Sequence, residues 1–160
     1  MPHIREAKTK DIPRILSLYQ QLTLGGAAES PKNWKKYVPI LQRIKRDTAQ
    51  RLFVVEEKGE VIGTYVFILL HSLYDFGSPW AEIEYIVVDE CYRGKGYGKR
   101  MMAHAEKLAQ KAGCFELQFS SDARRTEAHK FYESLGYKST ARSFRKYFSK
   151  RAGKGTREIR

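Results

Sequence analysis

The segment Arg93-Gly94-Lys95-Gly96-Tyr97-Gly98-Lys99-Arg100 sets three glycines among four cations. That combination suits an anion brought close to the backbone. Glycine lets an oxygen approach the main chain with no Cβ in the way. The first amides of a helix lack intrahelical partners and lie at the positive end of its dipole. The segment follows a run ending in Val88 and precedes an apolar-periodic stretch that starts at Tyr97 or Gly98, so strand, loop and helix start stand in the order a phosphate cradle needs. Its spacing excludes two other cradles: there is no G-x-x-x-x-G-K-[ST], and the glycines run G-x-G-x-G where a dinucleotide fingerprint wants G-x-G-x-x-G. A tight turn before a helix explains one or two glycines and leaves the third and the cations over. A few residues upstream, Glu82 and Glu84 fall on one face of a strand by period-two alternation. Two carboxylates on an otherwise apolar strand are unusual, and burial or mutual repulsion would raise one pKa toward the range of a general base. The plainer alternative is that either pairs with a cation across a sheet.

These residues need a scaffold. His3 to Glu6 reads as a short strand, and Thr9 to Leu22 as a helix with Ile12, Ile15, Leu16, Tyr19 and Leu22 at spacings of three and four, capped by Thr9 or Asp11 and tolerating Pro13 in its first turn. Gly25 to Pro31 breaks it. A basic helical stretch from about Asn33 to Thr48 follows, with Pro39 interrupting it. Leu52 to Glu56 and Val61 to Leu70 are strand-like runs joined by Glu57-Lys58-Gly59-Glu60, a hairpin signal. Ala81 to Val88 is a strand, and a helix from Tyr97 or Gly98 to about Ala112 shows Met101, Met102, Ala105, Leu108 and Ala109 on one face before Gly113 ends it. Phe115 to Phe119 reads as a strand, Arg125 to Leu135 as a helix closed by Gly136, and Tyr137 to Phe148 as a last strand. The order βααβββαβαβ makes a mixed α/β domain.

Composition bounds the partners. The 160 residues suffice for one domain with its own core, and 12% aromatic residues argue against a disordered polycation. Thirty Lys and Arg against eighteen Asp and Glu give a net charge of +12, which asks for a polyanion. From Lys138 onward nine basic residues meet the single acid Glu158, so +8 of that charge sits in a tail read as weakly ordered and solvated. No nucleic-acid motif accompanies it. Cys91 and Cys114 form neither a C-x-x-C pair nor part of a metal cluster. The longest apolar run, Tyr65 to Leu70, falls far short of the roughly 20 residues of a membrane span, and the charged N-terminus has no apolar leader, so a soluble, cytoplasmic protein with no membrane partner is expected.

The stretch from Ile86 through Gly98 resembles the acyl-CoA loop of the GNAT superfamily of N-acetyltransferases, R/Q-x-x-G-x-G/A after a strand ending in valine. Downstream, Ala128-His129-Lys130-Phe131-Tyr132-Glu133-Ser134-Leu135-Gly136-Tyr137 is similar to the family's A-x-x-F-Y-x-x-x-G-F segment. The resemblance covers nearly the whole chain except the basic tail. It implies a GNAT domain over residues 1–148, a tail over 149–160, and a mixed central sheet of six to seven strands with helices on both faces. Two parallel strands, ending near Val88 and Ser120, would splay to form the acetyl-CoA cleft. It further implies an N-acetyltransferase that passes the acetyl group from acetyl-CoA to a primary amine of a small molecule by direct attack in a ternary complex. Protein acetylation, at lysine or an N-terminus, and a basic nucleic-acid-binding module are the alternatives.

By position, the resemblance assigns Arg93, Gly94, Lys95, Gly96, Tyr97 and Gly98 to the pyrophosphate, with Lys99 among the cations facing it, and the backbone of Ile86 and Val88 to the pantetheine arm. Tyr132 matches the tyrosine that acts as general acid to the coenzyme sulfur; taken alone it is an amphipathic aromatic on a helix. Ala81-Glu82-Ile83 resembles the histone-acetylating branch, where this glutamate is the base, while Glu84 matches the position used in polyamine-acetylating relatives; Glu84 is preferred, with a water chain as a further route. Many relatives carry Asn where this chain has Arg125, which puts coenzyme contacts there in doubt. Ser120 to Tyr132 looks like the subgroup that includes aminoalkylphosphonate acetyltransferases, a hint of an anionic amine. Acceptor choice would come from Leu22 to Lys45 and from the His71 to Pro79 loop, where Tyr74, Asp75, Phe76 and Trp80 could line a pocket. Dimers are common among members, and the last strand offers an edge for pairing, so a homodimer is expected.

Overall fold

The computed structural model describes residues 2–22 and 30–146. The Gly25 to Pro31 break and the variable acceptor region fall partly outside these residues, and the tail over 149–160 wholly so. The chain forms two compact units, Met1–Gln118 and Phe119–Arg160.

The first unit is built on one sheet. Its strands are β1 (His3–Glu6), β2 (Gln50–Glu57), β3 (Glu60–Leu70), β4 (Trp80–Val88) and β5 (Leu117–Gln118), in that spatial order. The first four are antiparallel, and β5 joins β4 in parallel. The hairpin read from Glu57-Lys58-Gly59-Glu60 is present: Glu57 pairs with Glu60, and Lys58 and Gly59 take φ of 51° and 83°, as a two-residue turn matched to strand twist requires. Helix α1 (Ile12–Gln20) and helix α2 (Val38–Arg46) cover one face. There Ile12, Ile15, Leu16 and Leu41 pack with Val54, Val61 and Val87 in one apolar cluster. Helix α3 (Tyr97–Lys111) covers the other face through Met101, Met102, Ala105 and Ala109, with His104 against Phe53 and Tyr65. Helices therefore lie on both faces of a mixed sheet, as expected. No helix among the described residues is long and apolar enough to cross a membrane.

Three expectations change. Pro39 does not interrupt a helix: a 3-10 segment over Pro31–Tyr37 leads into α2, and Pro39 sits in the first turn of α2, where a missing N–H costs nothing. The sheet has five strands among the described residues, not six to seven. The difference lies mainly at the end of the chain, where residues 137–146 form no strand and residues 147–148 fall outside the described residues. Alternation of small and large residues supplies a strand pattern, but pairing needs a partner edge. With that strand goes the edge on which the homodimer expectation leaned. Within the second unit, helix α4 (Thr126–Ser134) ends in Gly136 at φ 91°, whose N–H donates to the Glu133 carbonyl.

Candidate active site

Strand β4 carries the two glutamates, and the register confirms that they share a face. Glu82 stands opposite Ile68 and Glu84 opposite Val66, while Ala81 before them and Ile83 between them are buried on the other face. Both glutamates are half-buried. Beyond Glu84 the strand departs from regularity. Thr64 pairs with Val87 and Val66 with Glu84, so two residues of β4, Tyr85 and Ile86, oppose the single Tyr65. This is a β-bulge. Tyr85 takes φ 54°, a conformation bulky side chains seldom adopt, and its exposed ring lies 5.7 Å from that of Tyr19 on α1. The extra residue also shifts parity, so that Val87 joins the α1 and α2 cluster on the face of the glutamates. On its other edge β4 pairs with β5 only at Ala81↔Leu117 and Glu82↔Gln118. From Ile83 to Val88, including Ile86 and Val88, no strand lies beside β4 on that edge among the described residues.

Past Val88 the chain makes a 3-10 turn, Glu90–Tyr92, that Asp89 caps by accepting from the Cys91 N–H at 2.9 Å. Gly94 and Gly96 then take φ of 75° and 82°, and Gly96 is the cap residue from which α3 departs with no side-chain cap on its first amides. A Cβ built at either glycine would meet nothing within 4 Å, so the loop is open on the side these positions face. An exposed loop with left-handed glycines at a helix N-terminus fits a pyrophosphate. The cations divide in two. Arg93 donates through Nε to the Val88 carbonyl at 3.2 Å, and Lys95 through Nζ to the Cys91 carbonyl at 3.1 Å while lying over the Tyr92 ring. Lys99 and Arg100 are exposed in the first turn of α3.

A model described as the acetyltransferase (GNAT) family matches residues 13–137. The chain belongs to the GNAT family. A Drosophila melanogaster protein named "Probable glucosamine 6-phosphate N-acetyltransferase" is 28% identical over 137 residues, which cover 84% of this chain and 59% of the relative. The aminoalkylphosphonate N-acetyltransferase of Salmonella typhimurium is 36% identical over 90 residues, 55% of this chain and 56% of the relative. The chain thus spans somewhat more than half the length of these curated relatives. A solved structure described as a transcriptional regulator from Bacillus halodurans C-125 is 28% identical and superposes with a TM-score of 0.84, covering 92% of this chain and all of the other.

The remaining candidate residue, Tyr132, belongs to the second unit, on α4. It is half-buried, with its ring 4.5 Å from Phe119 and 5.3 Å from Phe131. Burial pushes its phenol above the ordinary value, with the Arg125 charge pulling the other way. Ahead of α4, Asp122 forms an ion pair with Arg124 at 2.7 Å, and that hydrogen-bonded cation holds its carboxyl far below the usual range. The structure therefore gathers Glu82, Glu84, Ile86, Val88 and the glycine loop in the first unit, and sets Tyr132 in the second. In the loop that joins β3 to β4, Asp75, Phe76 and Gly77 all take positive φ, and Tyr74 and Phe76 are exposed.

Sequence reasoning passed over a polar cluster beneath the GNAT loop: Arg14 and Gln21 from the α1 region, Glu60 at the start of β3, and Asp89. In the sequence Asp89 is the first of two acids, Asp89-Glu90, directly after β4. Nothing in the sequence tied it to residues 68 and 75 positions away.

Proposed function

We propose that this protein transfers the acetyl group of acetyl-CoA to the primary amine of a small molecule that carries a phosphate or phosphonate. The loop geometry carries the donor half of this reading: left-handed Gly94 and Gly96 open a helix N-terminus directly after β4, a site for the pyrophosphate of the coenzyme. We assign the pantetheine arm to the main-chain groups of Ile86 and Val88, on the edge of β4 away from β3, where among the described residues no strand pairs with them. The acceptor half rests on the relatives, whose names carry glucosamine 6-phosphate and aminoalkylphosphonate, both amines bearing a phosphorus oxyanion.

The amine enters as an ammonium and must lose a proton before it attacks the thioester carbon. Glu84 is the base we assign, with Glu82 beside it on the same face; both are half-buried next to the bulge. The carbon–nitrogen bond forms as the carbon–sulfur bond breaks, and the leaving thiolate takes a proton. Tyr132 supplies it, and burial keeps that phenol protonated until the sulfur bears charge. Residues 1–148 form the acetyltransferase domain on this reading, and the basic tail takes no part in the chemistry.

The test is thiol release from acetyl-CoA across glucosamine 6-phosphate, aminoalkylphosphonates, polyamines, aminoglycosides, and lysine and N-terminal peptides. Turnover should concentrate on the phosphorylated and phosphonate amines. Preference for peptides would replace the acceptor half with protein acetylation. Absence of turnover together with no thermal shift on adding acetyl-CoA would overturn the whole.

A further inference from the structure

An anion-binding loop works only if its amides are held still. This one is mostly exposed and has two left-handed glycines, the residue type with the most backbone freedom to lose. What steadies it is a set of polar contacts from outside. Asp89, only 6% exposed, accepts through Oδ2 from Arg14 Nη2 at 2.9 Å and from Gln21 Nε2 at 3.1 Å, and through Oδ1 from the Cys91 N–H. Gln21 Oε1 in turn accepts from the Glu90 N–H at 3.0 Å and from Arg93 Nη2 at 3.4 Å. Arg14 also donates through Nε to the Val61 carbonyl at 2.8 Å and through Nη2 to Glu60 Oε1 at 3.1 Å, while Glu60 Oε2 accepts from the Tyr92 hydroxyl at 2.8 Å. The start of the loop is thus gripped at the Glu90 amide, the Cys91 amide, the Tyr92 hydroxyl and the Arg93 guanidinium.

We propose that Gln21, with Arg14 behind it, is a positioning residue for the coenzyme loop: the side-chain amide of Gln21 fixes the entry to the Gly94 and Gly96 turn so that the helix N-terminus meets the pyrophosphate in register. The inference rests on the acetyl-CoA reading above and adds to it residues from the opposite end of the sequence. Mere support of α1 would not need this arrangement. Ile12, Ile15, Leu16 and Leu18 already bury that helix against the sheet, and the amide of Gln21 reaches only Asp89, Glu90 and Arg93 among the contacts described. Gln21 is itself only half-buried, so its removal leaves the core intact.

The experiment compares the full chain with Gln21→Ala and Gln21→Met, the second keeping length and bulk without polar atoms. Isothermal titration with coenzyme A gives Kd, thiol release gives KM and kcat, and thermal unfolding without ligand reports the fold. Loss of the bonds from Gln21 to the loop should raise Kd for coenzyme A and KM for acetyl-CoA about tenfold in both variants. The value of kcat and KM for the amine should stay within about twofold, because an interaction equal in ground and transition states affects binding alone. Wild-type affinity in Gln21→Met would overturn the proposal, since packing would then explain the position, and so would a fall in kcat with KM unmoved. Failure of the wild-type chain to bind coenzyme A would overturn the acetyl-CoA reading and this inference together; binding that is equal in all three proteins would overturn only the inference.

Discussion

Helix α3 begins and ends on a glycine with positive φ, Gly96 at 82° and Gly113 at 74°, and a Cβ at either would meet nothing within 4 Å. Alanine at either end therefore meets no steric clash and costs only the left-handed backbone, about 1–2 kcal/mol. In a chain of this length that is a fall in Tm of about 2–8 °C. Thermal unfolding without ligand should not distinguish Gly96→Ala from Gly113→Ala. Coenzyme binding should. On the proposed reading a pyrophosphate oxygen reaches the first amides of α3 from the open side of Gly96, and a methyl group there would hold it out of hydrogen-bonding range. Losing one hydrogen bond to a charged oxygen is worth about 1.5–3 kcal/mol, or between about tenfold and a hundredfold in Kd. Isothermal titration with coenzyme A should show that loss for Gly96→Ala and a change within about twofold for Gly113→Ala. Equal Kd values in the two variants would refute the assignment of this loop to the anion. Unequal losses of stability would refute the claim that backbone conformation alone sets the cost.

Glu84→Gln should lower kcat by about two to four powers of ten at neutral pH, with Kd for coenzyme A nearly unchanged; a larger loss in Glu82→Gln would move the base to that residue. Tyr132→Phe should slow turnover by at least about tenfold and leave coenzyme binding near wild type, and equal loss of both would remove its role as acid. For Asp11, burial works to raise the pKa, but hydrogen bonds from Arg5 and the Lys8 N–H and the Arg5 charge outweigh it and hold the carboxyl below 3.8. A depressed pKa stabilises the fold above the unfolded value and ceases to do so as pH falls through the folded one, so acid unfolding below about pH 4 should be shallower in Asp11→Asn, which at pH 7 should cost about 1–3 kcal/mol. Removing the exposed charges with Lys99→Gln and Arg100→Gln should weaken coenzyme binding at low salt, and the deficit should shrink as ionic strength rises. The deficit from Lys95→Gln, which loses a bond to the Cys91 carbonyl, should persist.

Local patterns carried most of the scaffold. Apolar spacing placed α1 and α3, the two positive-φ residues of the β2 to β3 turn were foreshadowed by Lys58-Gly59, and Glu82 and Glu84 fell on one face because the strand is regular up to that point. The bulge at Tyr85 was not legible. An unbroken alternation counted from Glu82 puts Ile86 and Val88 on the glutamate face, whereas the inserted residue gives that place to Val87. One residue of register cannot be read from side-chain type when Tyr, Ile and Val suit either face of a two-sided sheet. The last strand failed for the complementary reason: residues 137–146 carry the pattern of a strand without the pairing that makes one.

Charge was the least transparent feature. Counting cations around the glycines suggested four that face an anion, but two of them are engaged with the loop itself, Arg93 at the Val88 carbonyl and Lys95 at the Cys91 carbonyl. Their side chains satisfy carbonyls that an open, glycine-rich turn leaves exposed, and so shape the backbone that does the binding. On the proposed acetyl-CoA reading, recognition of the coenzyme falls chiefly to main-chain N–H groups, with Lys99 and Arg100 adding a screened, longer-range attraction. On that division of labour the loop tolerates changes of surface charge better than changes of backbone. On the same reading the residues that fix its entry, Asp89 with Arg14 of α1 and Gln21 just beyond that helix, matter as much as the cations that first drew attention to it.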